Sequence, residues 1–430
     1  MEHWFSDLPA FRHDPLGFLM QRGSTATGPF VPLRLAPFPV YLVTDPDLVK
    51  PIMKMSEAEI DKGRLIHKLR AIVGKSSLTT SGPGQQERRA ALHAQMARGI
   101  ASSYVPQISA LVRGTFAHLL CEEQFDAHRV SAALALRVIA NALFGEGVLS
   151  KGDETALLHA VKLVEDDLAE GMFRLGPPAP WTWLRNRQRL HAARTIMSAV
   201  VQRTRKKAAA SSLLASLNGL GLSDRDLEDE VLMILLAGHH TTGSAAAWLL
   251  YHIAADPNLA QSLAQEAKRC MDRGGELRAS ELPTASISLG VVREVLRLYP
   301  SAWWFSREVK ARRVEIAGHT FRRGTSLLIS PWHMHRDVRF WPEPERFDGA
   351  RPSTSRAYLP FGAGPRACVG LGMAMLELQV IALELAATFN TELRMSMPPG
   401  LPRPSITLVP PSIPLALKPR SLGALEVAAE

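Results

Sequence analysis

Residues 361–370 read Phe361-Gly-Ala-Gly-Pro-Arg-Ala-Cys-Val-Gly370. Gly362, Gly364 and Gly370 allow tight turns and a close approach of the backbone to a flat ligand. Cys368 follows, just ahead of an apolar run that keeps a helical pattern over 371–389. A helix N-terminus, with its unpaired N–H groups and its dipole, stabilises a thiolate. Such a thiolate suits an axial site on iron and pushes electron density onto the metal. A lone cysteine is more often a small buried hydrophobe. The glycines, the arginine two residues earlier and the helix behind favour the ligand reading. The stretch closes a Pro-, Arg- and Gly-studded segment, 331–370, and long loops inside compact proteins usually carry function.

The 430-residue chain is 46% apolar and 21% charged, which argues against disorder, coiled coil and collagen-like architectures. Lys and Arg number 50 against 41 Asp and Glu, a formal charge of +9 that by itself selects no partner. No nucleic-acid motif accompanies it. Three cysteines, Cys121, Cys270 and Cys368, exclude a disulfide scaffold, and no CxxC pair is present for zinc. The opening MEHWFSDLPAFRHDP carries charge and proline where a secretory apolar core would stand. No run of about 18 uncharged apolar residues occurs. The expectation is a soluble, cytoplasmic chain with no membrane partner.

Periodicity divides the chain. Residues 28–60 alternate in short apolar runs and read as strands. The body over 85–300 is helical, with apolar three- and four-residue spacing over 104–120, 129–144, 154–174, 184–207, 224–253 and 257–272. Ser223, three residues before Asp226, reads as a helix N-cap. Strands are expected at 313–317 and 326–330, and a hairpin from 405–409 and 414–418. No repeat or linker separates further domains.

The loop spells F-x-x-G-x-R-x-C-x-G in full, and here the chain resembles the cytochrome P450 family of haem-thiolate monooxygenases. The resemblance runs over most of the chain. Leu289-Gly-Val-Val-Arg-Glu-Val-Leu-Arg-Leu-Tyr-Pro300 holds the family's E-x-x-R as Glu294 and Arg297, which share a helix face and can pair. Pro342-Glu-Pro-Glu-Arg-Phe347 resembles P-E-R-F and implies that Arg346 joins them in a structural triad. Leu232-Met-Ile-Leu-Leu-Ala-Gly-His-His-Thr-Thr-Gly243 matches A-G-x-D/E-T-T. The match implies that Ala237 and Gly238 leave space for dioxygen and that Thr241 supports proton delivery. His240 stands where the family usually has Asp or Glu. An imidazole can relay protons at neutral pH; the alternative is a side chain turned outward. His239 is expected to face away from the haem.

The resemblance implies a mainly α fold with small β-sheets, a triangular single domain over 1–430, and one haem b (iron protoporphyrin IX) ligated by Cys368. It implies cation anchors for the propionates at Arg89, Arg307 and Arg366. Gln85, in place of Trp or His, is a further amide donor, and Phe361, Gly364 and Gly370 line the haem. His93 is expected on a helix face, and His335 in a structural role. Segments 65–78, 163–176, 233–241, 301–306 and 405–409 align with pocket regions, which nominates Met233, Ala302, Trp303, Trp304 and Ile406. A strand there sends Trp303 and Trp304 to opposite faces; either one narrows the site or both pack the strand. The implied reaction is oxygen insertion into an apolar molecule such as a terpenoid, steroid or fatty acid. Electrons come from NAD(P)H through a ferredoxin and its reductase, and the protein acts as a monomer. Arg88, Arg98, Arg336 and Arg339 are expected to form the ferredoxin-docking patch. Other chemistries on the same fold are a peroxygenase, an isomerase or a non-catalytic haem sensor.

Overall fold

Ser223 Oγ accepts the backbone N–H of Asp226 at 3.2 Å and starts the longest helix of the computed structural model, as the N-cap pattern predicted. The structure describes residues 5–97, 101–172, 179–209, 212–352 and 355–420, without the side chains of 64, 65, 67, 68 and 165–172. Eight helices position the site: α1 (Arg64–Val73), α2 (Pro83–Met96), α3 (Ala127–Phe144), α4 (Lys151–Met172), α5 (Pro180–Arg205), α6 (Asp224–Ala255), α7 (Ser286–Leu298) and α8 (Leu371–Thr388). The main core lies among them, with α6 packed against α3 and α8.

Two glycines set the α3–α6 approach. A Cβ on Gly238 would fall 2.8 Å from Ile139 Cγ1, and one on Gly243 would fall 2.7 Å from Ala132 Cα. Real side chains do not come that close. Gly238 is therefore small because a neighbouring helix packs there, which corrects its assignment to a dioxygen space.

A five-stranded sheet packs beside the helices. It comprises β1 (Phe30–Leu33), β2 (Val40–Val43), β3 (Ile60–Lys62), β4 (Phe305–Val309) and β5 (Ser326–Ile329), in the order β1-β2-β5-β4-β3. Only β2 and β5 run parallel; β3 and β4 are antiparallel, with Lys62 opposite Arg307. The mainly helical fold with small sheets thus matches the sequence reading, with two differences. Helices Leu8–His13 and Pro15–Ser24 precede the strands. The end is no simple hairpin: Arg403–Pro404 pairs with Leu408–Val409, and Pro414–Pro419 pairs with Phe389–Leu393 and Phe125–Asp126. Helix α8 is long and apolar enough to cross a membrane, but it is mostly buried and includes the buried Glu377 and Glu384. That is the character of a core helix.

Burial leaves three imidazoles neutral. Desolvation pushes His252 and His335 down to about 3 and His333 down to about 4. For His335 the tautomer is fixed: Nδ1–H donates to Arg297 O at 2.9 Å, and Nε2 accepts the Leu359 N–H at 2.8 Å. Unfolded imidazoles titrate near 6.5. A depressed folded value contributes stability that is complete above about 6.5 and is lost as pH falls toward 3–4. The thermal midpoint should therefore drop steadily between mildly acidic pH and pH 4. A flat midpoint over that window would contradict the neutral burial.

Candidate functional site

The cysteine loop is pinned by its own backbone. Cys368 N–H donates to Phe361 O at 2.9 Å, and Ala367 N–H donates to Gly364 O at 3.0 Å. Gly362 and Gly364 adopt φ of 70° and 66°, a region closed to most L-residues, and a Cβ on Gly364 would lie 3.0 Å from Met53 Cβ. Gly370 is different: its φ of −86° is ordinary and it caps α8. Burial pushes the Cys368 thiol up, against the opposing pull of the Gly370 N–H and the Arg89 guanidinium. The sulfur is nonetheless accessible. Arg89 also donates to Ala367 O, tying α2 to the loop.

Beside the cysteine, four cations crowd one another. Burial, followed by the charge of Arg366, pushes Arg307 down to about 10 and Lys62 down to about 7. Burial and Arg366 also lower Arg89. Arg366 itself pairs with Glu57 and lies 3.4 Å from Asp61, while its second guanidinium nitrogen is buried without a partner among the described residues. Cations held this close call for an anionic ligand. The two carboxylates of haem match that demand, and the accessible thiol supplies the metal ligand, so the residues fit haem. Lys62 escaped the sequence reading because only the β3–β4 register sets it opposite Arg307. Gln85 plays another part. Its amide donates to Ser77 O at 3.1 Å, an oxygen that also accepts from Lys62 Nζ at 3.1 Å. It shores up the 75–82 loop.

Behind the loop lies a buried charge network. Arg297 grips Glu294 with two bonds, Nε to Oε2 at 2.8 Å and Nη2 to Oε1 at 2.7 Å, and both residues are buried. The third member is Arg351, whose Nε donates to Glu294 Oε1 at 3.0 Å. This corrects the placing of Arg346. Its side chain turns outward to Glu343 at 3.0 Å, and only its carbonyl faces inward, accepting from Arg297 at 3.3 Å and from Arg351 at 3.0 Å.

Helix α6 exposes Ala237 within an otherwise mostly buried stretch. Thr241 Oγ1 donates to Ala237 O at 2.8 Å, and Thr241 O accepts from Ser301 Oγ at 2.8 Å. His240 Nδ1 meets the Thr407 hydroxyl, with the His128 ring 6.4 Å away. The chain on either side of Ser301 and Thr407 thus brackets α6 at residues 240–241, and exposed Ala302 adjoins it. His239 is buried. Met233 is buried in the main core and Ile406 packs against it.

Trp303 is fully buried, donates to Ser405 O at 2.8 Å and packs in a cluster with Leu328 and Trp332, against which Trp304 also packs. Strand β4 begins only at Phe305. The alternation that would point one indole at the haem is therefore absent, and both pack the fold. His93 is exposed on α2.

Of the four arginines expected in the docking patch, two are engaged inside the fold and Arg339 is exposed. Arg88 pairs with buried Glu230 at 3.2 Å. Arg336 is buried over the Trp332 ring at 3.4 Å. Arg339 clasps Asp337 at 3.0 Å, and Arg98 lies outside the described residues.

A sequence profile of the family described as Cytochrome P450 matches residues 4–417. The chain is 29% identical to cyclooctat-9-en-7-ol 5-monooxygenase of Streptomyces melanosporofaciens, over 87% of this chain and 85% of that one. It is 25% identical to pentalenene oxygenase of Streptomyces avermitilis, over 90% and 88%. The crystal structure of a cytochrome P450, CYP102L1, superposes with a TM-score of 0.79 at 20% identity, covering 95% of this chain and 98% of that one. CYP175A1 from Thermus thermophillus gives 0.76 at 24% identity, over 97% and 98%. These two likenesses concern the fold.

Proposed function

The chain belongs to the cytochrome P450 family, and on that premise we propose that it is a monooxygenase that oxidises an apolar terpenoid-type molecule at a haem held by Cys368. The observation that carries this reading is the accessible thiol set beside Arg89, Arg307 and Arg366, two kinds of group that a haem needs together. The terpenoid class rests on the relatives named for cyclooctat-9-en-7-ol and pentalenene. Haem bound here supplies reductive activation of dioxygen.

The chain's own residues do the rest. Cys368 ligates, with the Gly370 N–H and Arg89 favouring its thiolate. Arg89, Arg307 and Arg366 hold the propionates. Ala237 leaves room on the cleft side of α6. Thr241 offers its hydroxyl, and His240 hands on a proton while its ring is steadied by Thr407. Electrons arrive from NAD(P)H through separate proteins of the ferredoxin type.

Incubation with a library of cyclic terpenes and their alcohols, with ferredoxin and reductase, tests the reading. Oxygenated product formed only with NADH is expected. Product formed with peroxide alone would favour the peroxygenase. If Thr241 and His240 act in one relay, Thr241→Ala and His240→Ala each lower product per NADH consumed, and the double variant loses little beyond the worse single. Haem content should hardly change. Full coupling in His240→Ala would leave the relay to Thr241 and water.

A further inference from the structure

The formal charge of the chain sits in one place. Residues 171–223 contain nine Lys and Arg and no Asp or Glu, which leaves 41 of each sign elsewhere. Helix α5 runs through this segment. Its buried residues, Ala193, Met197, Val200, Val201 and Thr204, all lie in its later turns. The earlier turns expose Trp181 (75%), Trp183 (49%) and Leu184 (50%), three large apolar side chains within four residues. Trp181, Leu184 and Arg185 share a face by their three- and four-residue spacing. The Arg187 guanidinium lies 5.3 Å from the centre of the Trp183 ring.

We propose that the first turns of α5 dock the protein on an anionic lipid surface. A helix presenting indoles and leucine beside a run of arginines has the chemistry of an interfacial helix: the rings lodge at headgroup level and the guanidiniums meet phosphates. Charge complementarity selects an anionic occupant, and the exposed indoles select a surface with an apolar layer beneath its charge. An acidic electron-donor protein fits less well. Helix α6 packs on both α5 and α8, so a protein seated on α5 stands a helix layer away from the thiol.

The test uses the haem-loaded full chain in co-sedimentation with vesicles of phosphatidylcholine alone, and of phosphatidylcholine mixed with phosphatidylglycerol. Binding is expected to the mixed vesicles at low salt and to weaken as salt rises. Each arginine near such a surface is worth about fivefold, so Arg185→Gln/Arg187→Gln/Arg189→Gln should weaken binding on the order of a hundredfold. Trp181→Ser/Trp183→Ser should weaken it roughly tenfold or more. An unchanged haem spectrum shows that each variant is folded. Failure to bind mixed vesicles, or binding indifferent to both sets of substitutions, overturns the proposal. So does capture of an acidic ferredoxin, lost in these variants, by a protein that ignores vesicles.

Discussion

Cys368→Ala should abolish the proposed NADH-driven oxygen insertion and loosen the haem. The thiol stands on a loop closed by the Cys368–Phe361 backbone bond and two left-handed glycines. The other cysteines offer no substitute. Cys121 is exposed at the end of a short helical turn, and Cys270 is buried at the end of Pro257–Cys270, with its thiol pushed up by desolvation. Product formation should fall to background and haem per chain should drop, while far-ultraviolet circular dichroism stays native. Cys121→Ser and Cys270→Ser should match the parent in turnover. Residual turnover in Cys368→Ala comparable with the parent would remove the cysteine from the reaction.

Glu294→Ala strips the carboxylate from two guanidiniums at once, the buried one of Arg297 and the half-buried one of Arg351. Breaking a buried pair by removing one partner costs about 3–5 kcal/mol, a large part of the roughly 5–15 kcal/mol that holds a domain together. The variant should be recovered poorly, with a thermal midpoint many degrees lower and little haem. Arg351→Ala should follow it, since it leaves a buried carboxylate short of a donor. Arg346→Ala removes only an exposed pair with Glu343 and should cost at most about 1 kcal/mol. Thermal unfolding of the three variants side by side decides between the arginines. Equal losses at 346 and 351 would contradict the network described.

Cys368, Glu294 and Arg297 were legible in the sequence because their geometry is local. A glycine loop ahead of a helix, and two side chains one turn apart, settle their own arrangement. Arg346 was named and Arg351 missed because the partner of a loop arginine depends on how residues 342–351 turn, and motif spacing does not encode that. Lys62 was invisible for a similar reason, since it meets Arg307 only across a strand pair far apart in sequence. Gly238 was seen as a necessary glycine, but its contact is Ile139 of α3 and lies on another side of the helix. The arginines of the supposed docking patch were counted as surface charge. Two of them are spent inside the fold, Arg88 on the buried Glu230 and Arg336 against Trp332.

The absorption spectrum of the reduced protein under carbon monoxide tests Cys368 as the haem ligand most directly. The parent, Cys121→Ser and Cys270→Ser should each show a Soret band strongly red-shifted from that of histidine-ligated haem, and Cys368→Ser should lose the shift. A parent band at the histidine-ligated position, or a red shift that survives in Cys368→Ser, would contradict the thiolate at the centre of this account.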